Sequence, residues 1–216
     1  MEEKIVRLDG AAVTFENFAI KPVNIEIPKG YIIGVQGENG AGKSTLLKMI
    51  LGVYQNMQGR ISVCGYDCVK EREKMLRQIG YIAEERSFFE AEDAIANEAF
   101  FSAYYPTWNK DIYRNMLNRM NISPLKKIGG FSKGERIKFQ LAFTTAYNPD
   151  LILMDEPTAG LDPVFREDFV KLLQELVAKY ETSILIATHI DEDLRKIADY
   201  MIEVRDGICT MREVDV

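Results

Sequence analysis

Three residue types are scarce in this 216-residue chain: there are three cysteines, one tryptophan and one histidine. Cys64 and Cys68 are too far apart for a Cys-x-x-Cys pair and Cys209 is distant. The thiols therefore fall short of a structural zinc site and read as packing residues in a reducing compartment. Long apolar runs are absent, and none approaches the length that crosses a bilayer. The opening Met1-Glu2-Glu3-Lys4 is not a signal peptide, so the expectation is a protein made and kept in the cytoplasm. Basic residues are outnumbered, 27 Lys plus Arg against 33 Asp plus Glu, for a net charge of −6. With no long basic run either, the chain is a poor general binder of DNA or RNA, and no nucleic-acid partner is expected. Internal repeats, low-complexity tracts and long linkers are likewise missing. What is present is 47% hydrophobic residues, enough for a substantial core, in a length that suits one α/β domain with an inserted lobe.

The strongest chemical signal is Gly37-Glu38-Asn39-Gly40-Ala41-Gly42-Lys43-Ser44-Thr45, which fits the P-loop pattern G-x-x-x-x-G-K-[ST]. A phosphate chain is a dense cluster of anionic oxygens. The glycines let consecutive backbone N–H groups turn inward around it, and Lys43 adds a point charge for the outer phosphates. Ser44 offers a hydroxyl to Mg²⁺, and the following helix points its positive end at the same place. A Gly-rich turn without a ligand is the plain alternative. The flanks argue against it: Tyr31 to Val35 reads as a buried strand, and Leu46, Leu47, Ile50 and Leu51 as the apolar face of a helix.

Residues 5–35 alternate in the β manner around a Pro28-Lys29-Gly30 turn. Gly59 to Val63 and the Gly65 turn suggest another strand pair. Residues 71–78 read as helical and Ile79 to Ala83 as a short strand. From about Phe88 to Lys127 the pattern turns helical, with helices over Ala91–Tyr105 and Lys110–Met120 broken at Pro106 and at Ser123-Pro124. The expected organisation is therefore one domain, with a core of residues 1–87 and 128–216 and a helical lobe inserted at about 88–127. Gly129-Gly130 makes a joint, and Ser132 with Glu135 fits a capping box opening a helix to Tyr147. Leu151 to Met154 reads as a central parallel strand buried on both faces and ending in Asp155-Glu156. A helix over 165–179, a strand over Ser183–Ala187 ending at Thr188-His189, a helix over Asp191–Asp199 and a final hairpin follow. The fold class is α/β, with a mostly parallel central sheet, an N-terminal antiparallel β region and the helical lobe.

In open α/β sheets the ligand lies beyond the carboxyl ends of the strands, which places both acids at the site. Asp155 is the expected partner of Mg²⁺, directly or through another ligand, together with Ser44. Glu156 can take a proton from the attacking water. His189, a loop histidine when read alone, gains from this setting a role in holding the terminal phosphate or the water.

These residues together resemble the nucleotide-binding subunit of an ABC transporter over nearly the whole chain. After the P-loop come a signature-like Phe131-Ser132-Lys133-Gly134-Glu135, a Walker B stretch at Leu151 to Glu156, a D-loop at Ala159-Gly160-Leu161-Asp162 and the switch histidine at His189. The resemblance implies ATP and Mg²⁺ as ligands and a separate integral membrane permease as partner. It also implies a head-to-tail dimer, homo- or heteromeric, in which ATP lies between one P-loop and the partner's signature helix. Ser132, Lys133, Gly134, Glu135 and Asp162 would then serve the opposite subunit's site. Location at the inner face of the cell membrane follows from the same likeness. Phe15 becomes the aromatic that stacks on adenine, with Phe18 as the alternative; read alone, Phe15 is a core aromatic.

Two departures stand out. The usual signature is Leu-Ser-Gly-Gly-Gln, whereas positions 131, 133 and 135 differ here; similar Ser-Lys-Gly forms point to bacterial exporter-type subunits. Glu84, or its neighbour Glu85, stands where the family has a Gln that contacts the metal and the attacking water, and a carboxylate there can still bind Mg²⁺. The implied function is an ATP-hydrolysing export motor. The rival readings are a soluble ABC-type ATPase acting in assembly or on nucleic acid, and a weakly hydrolysing ATP-binding regulatory module. The lobe's aromatics, Phe88, Phe89, Phe100, Phe101, Tyr104, Tyr105 and Trp108, suggest a docking groove for the permease lined by Trp108 or a neighbouring tyrosine.

Overall fold

The computed structural model describes residues 3–83, 88–157, 163–188 and 197–214. Alternating burial at the N-terminus produces strands β1 (Lys4–Thr14) and β2 (Ala19–Pro28). Then come β3 (Ile32–Gln36), α1 (Lys43–Ile50), β4 (Gln58–Val63), β5 (Tyr66–Asp67), α2 (Arg72–Leu76) and β6 (Ile79–Ile82). Helices α3 (Ala94–Phe101), α4 (Lys110–Arg119) and α5 (Lys133–Thr145) follow, and β7 (Leu151–Asp155), α6 (Pro163–Tyr180), β8 (Ser183–Ala187), β9 (Tyr200–Arg205) and β10 (Ile208–Glu213) complete the described strands and α-helices.

Two sheets result. Strands β2-β1-β4-β5 form an antiparallel sheet of four, and β10-β9-β3-β8-β7-β6 a sheet of six. The larger is parallel except for its edge strand β10. Its inner strands β3, β8 and β7 are buried at consecutive positions because both faces are covered. Ile152 and Met154 point into a cluster with residues of α4, α5 and α6, while Leu151 and Leu153 point into a second cluster with α1 and the antiparallel sheet. The expected α/β class with these two β regions and a helical region is observed.

Local boundaries follow capping chemistry. The first lobe helix begins at Ala94 rather than near Ala91, because the Asp93 side chain accepts from the Ala96 N–H and caps it there. Asn109 caps α4 by accepting from the N–H groups of Asp111 and Ile112. The expected capping box is present at α5, with Ser132 and Glu135 satisfying each other's backbone N–H groups. Trp108 is half-buried, its ring 4.7 Å from that of Phe143 and 5.2 Å from that of Tyr113. Tyr105 stacks on Tyr147 at 3.9 Å. The exposed aromatics of this region are Phe89, Phe100 and Tyr104. Among the described residues no helix is long and apolar enough to cross a membrane. The expected helix over Asp191–Asp199 lies mostly outside the described residues.

Candidate functional site

The glycine-rich loop leaves the carboxyl end of β3 and enters α1. Two of its glycines are required by space. A Cβ on Gly37 would stand 2.3 Å from the Val204 carbonyl oxygen. Gly42 has φ of 114°, and a Cβ there would meet Ile20 Cδ1 at 2.5 Å and Phe18 Cζ at 2.7 Å. Strand β2 and its preceding turn therefore press directly on the loop. Lys43 is buried, and its ammonium donates to the carbonyls of Gly37 at 2.8 Å and Glu38 at 3.1 Å, which pins its charge against the loop.

Ser44, at the second position of α1, donates its hydroxyl to Asp155 Oδ1 at 2.9 Å. Strand order makes this possible: β3 and β7 both flank β8 and run parallel to it, so their carboxyl ends open on the same side. One carboxylate and one hydroxyl at this distance are a hard oxygen pair of the kind Mg²⁺ takes. Glu156 follows immediately, with φ of 50°, and donates its N–H to the Ala187 carbonyl at 2.8 Å. A left-handed backbone at a non-glycine residue costs free energy, and here it turns the chain sharply just beyond the strand.

A cleft of about 800 Å³ opens beside the loop. Gly37, Glu38, Asn39, Gly40 and Ala41 line it, together with Phe18, Lys21 and Arg205 among others. Phe15 is not among the lining residues. It is partly exposed, edge-on to Tyr54 at 5.3 Å and stacked at 6.4 Å on Phe18. Sequence reasoning had no signal for Lys21 and Arg205, whose positions depend on β2 and β9 meeting at the loop.

Residues 131–135 are also absent from the cleft. Ser132, Lys133, Gly134 and Glu135 stand at the start of α5, where Glu135 accepts from the Ser132 N–H at 2.7 Å. Thr45 continues α1 behind the loop. Glu84, Asp162 and His189 lie outside the described residues. Among the described residues no group of three or more His, Cys, Asp or Glu could hold a metal.

Residues 20–159 match the family model described as ABC transporter. The chain belongs to the ABC transporter ATP-binding family. It is 34% identical over 195 residues to the ABC transporter ATP-binding protein NatA of Bacillus subtilis (strain 168), a match spanning 88% of this chain and 79% of that protein. It is 30% identical over 208 residues to the energy-coupling factor transporter ATP-binding protein EcfA2 of Clostridium tetani (strain Massachusetts / E88), covering 91% and 72% respectively. The solved structure of cbiO1 from Clostridium perfringens, part of the ABC transporter complex cbiONQ, superposes with a TM-score of 0.81 at 25% identity, over 99% of this chain and 89% of that one. The family expectation is borne out, and with it the activity: this ABC transporter ATP-binding subunit is an ATPase.

Proposed function

We propose that this ATPase is the motor of an exporter, working as a dimer on a separate integral membrane permease at the inner, cytoplasmic face of the membrane. The observation that carries the site is the 2.9 Å Ser44–Asp155 hydrogen bond at the foot of the glycine loop. Lys43 and the N–H groups of residues 37–45 hold the phosphates. Ser44 and Asp155 would hold Mg²⁺, with Glu84 as a further ligand, and the ion would screen the phosphate charge. Glu156 takes the proton of the attacking water, and His189 orients it. Phe15 or Phe18 faces the adenine.

Membership of the ABC transporter ATP-binding family supports a dimer. Ser132, Lys133, Gly134, Glu135 and Asp162 would complete the site of the other copy, which is a second molecule of this chain or a close relative. EcfA2 and cbiO1, by their names, belong to transporters, which supports the permease partner. The export direction rests on the Ser132-Lys133-Gly134 form of the signature.

The domain division we favour is one ATPase domain with core 1–87 and 128–216 and a lobe at about 88–127. The two ends of the lobe lie side by side, where the N–H groups of Ile128 and Gly129 donate to the carbonyls of Glu92 and Glu90, both at 2.9 Å. The exposed aromatics Phe89, Phe100 and Tyr104 are the proposed docking surface for the permease. Purification of the native protein tests this reading. A copurifying membrane protein, with ATP-driven movement of cargo out of the cytoplasm, is expected. A protein that never associates with a membrane partner favours a soluble ATPase, and cargo moving inward overturns export.

A further inference from the structure

Glu135 carries a charge that opposes the task proposed for its helix. A carboxylate at the third position of a helix suits the helix dipole and closes a capping box. Where the same helix start must receive a nucleotide phosphate, it is a like charge. Glutamine closes the box equally well and carries no charge.

The structure places a compensating cation on this carboxylate. Lys126 Nζ donates to Glu135 Oε1 at 2.8 Å and to Oε2 at 2.9 Å. The same ammonium lies 5.5 Å from the Phe131 ring centroid. Lys126 comes from the segment leading into the turn at Ile128–Gly130, which is tied back to the lobe through Glu90 and Glu92. Its reach toward α5 is therefore set by lobe backbone and not by the helix itself. Arg136 of the same helix is engaged with Glu90 at 2.9 Å. The Lys126 ammonium, followed by the Ser132 N–H, holds the Glu135 carboxyl below the usual carboxylate range.

We propose that Lys126 is a positioning residue of the ATPase: it cancels the Glu135 charge, so that the start of α5 keeps its capping box and still accepts the phosphate of a nucleotide bound by the opposite subunit. This rests on the opposite-subunit reading above. The pair stands in for a neutral side chain and makes docking of the phosphate depend on a residue of the lobe.

The test uses the full chain with whichever second ATP-binding subunit copurifies with it, itself or another. ATP-driven assembly by sedimentation and hydrolysis are followed against ATP concentration. Lys126→Met raises the ATP concentration for half-maximal assembly and hydrolysis on the order of tenfold, a coupling of ordinary size between sites. ATP binding to the isolated chain is unchanged, which also reports that the variant is folded. Lys126→Arg stays close to the parent. Adding Glu135→Gln to Lys126→Met restores assembly, because no charge is left to cancel. A Lys126→Met variant that assembles like the parent overturns the proposal. So does a defect that Glu135→Gln leaves in place, since Lys126 would then hold the loop and not neutralise a charge. Gly134→Asp tests the underlying reading separately: it abolishes assembly if the start of α5 faces the other copy's nucleotide. Parent-like assembly of Gly134→Asp overturns that reading whatever Lys126→Met does.

Discussion

Ser44 Oγ donates to Asp155 Oδ1 at 2.9 Å, joining the start of α1 to the end of β7 across 111 residues of sequence. If this pair holds Mg²⁺, Asp155→Asn weakens ATP binding in the presence of Mg²⁺ by about 10–100-fold, the loss typical when a metal's surroundings are altered. Binding measured by calorimetry in excess chelator stays near the parent value. An equal loss with and without the metal places the role of Asp155 in the loop's shape instead.

Glu156 adopts φ of 50° while its N–H is fixed on Ala187. Glu156→Gln keeps that backbone and slows hydrolysis on the order of 10²–10⁴-fold while ATP still binds, and the ATP-bound dimer persists. Glu156→Gly, at a φ that glycine takes freely, loses hydrolysis to the same degree without lowering the melting temperature. Near-normal turnover in the Gln variant removes Glu156 from the mechanism.

Phe18 lines the cleft and touches the space above Gly42, whereas Phe15 packs beside it on Tyr54. Phe15→Ala weakens nucleotide binding by about 1–3 kcal/mol, as for loss of base–aromatic stacking elsewhere. Its melting temperature changes little, because the ring is partly exposed. Phe18→Ala lowers both affinity and melting temperature. Unchanged affinity in Phe15→Ala, alongside a loss in Phe18→Ala, assigns the adenine contact to Phe18.

Burial, followed by the charge of Asp150, pushes the Cys64 thiol up to about 12. Burial likewise raises Cys68 and Cys209 to about 11. In the folded protein all three stay protonated through neutral pH and react slowly with alkylating reagents, while the denatured chain reacts fast. Because these values lie above the ordinary thiol value of 9.0, the native state holds its protons longer than the unfolded chain. Their contribution to stability is present below pH 9 and is lost as pH rises through about 11 and 12. Denaturant midpoints across that range check the sign, and rapid alkylation of the native protein at pH 7 contradicts it.

Features written in short stretches of sequence were legible directly. The glycine spacing of residues 37–42 announces the loop. The Ser132–Glu135 capping box needs only a helix start and a three-residue interval, and it is present at α5. The run Leu151 to Met154 is apolar at every position because helices or sheet cover both its faces, and that pattern identified the central strand. Periodicity does not say how far each of several neighbouring aromatics packs inward: Trp108 is half-buried against Phe143 of α5, while Tyr104 is exposed.

What the tertiary structure decided are the pairings between distant residues. The strand order β10-β9-β3-β8-β7-β6 brings Ser44 to Asp155 and sets the Val204 carbonyl against Gly37, neither of which follows from spacing. The choice of Phe18 over Phe15 as the cleft-lining ring depends on how the turn between β1 and β2 lies on Gly42. The Lys126–Glu135 pair arises because the path of the lobe's last segment, tied to Glu90 and Glu92, delivers an ammonium to the start of α5. Turn, cap and burial preferences act over a few residues and leave their mark in order along the chain. Contacts between remote segments are set by strand register and helix packing, which many sequences satisfy and no local pattern encodes.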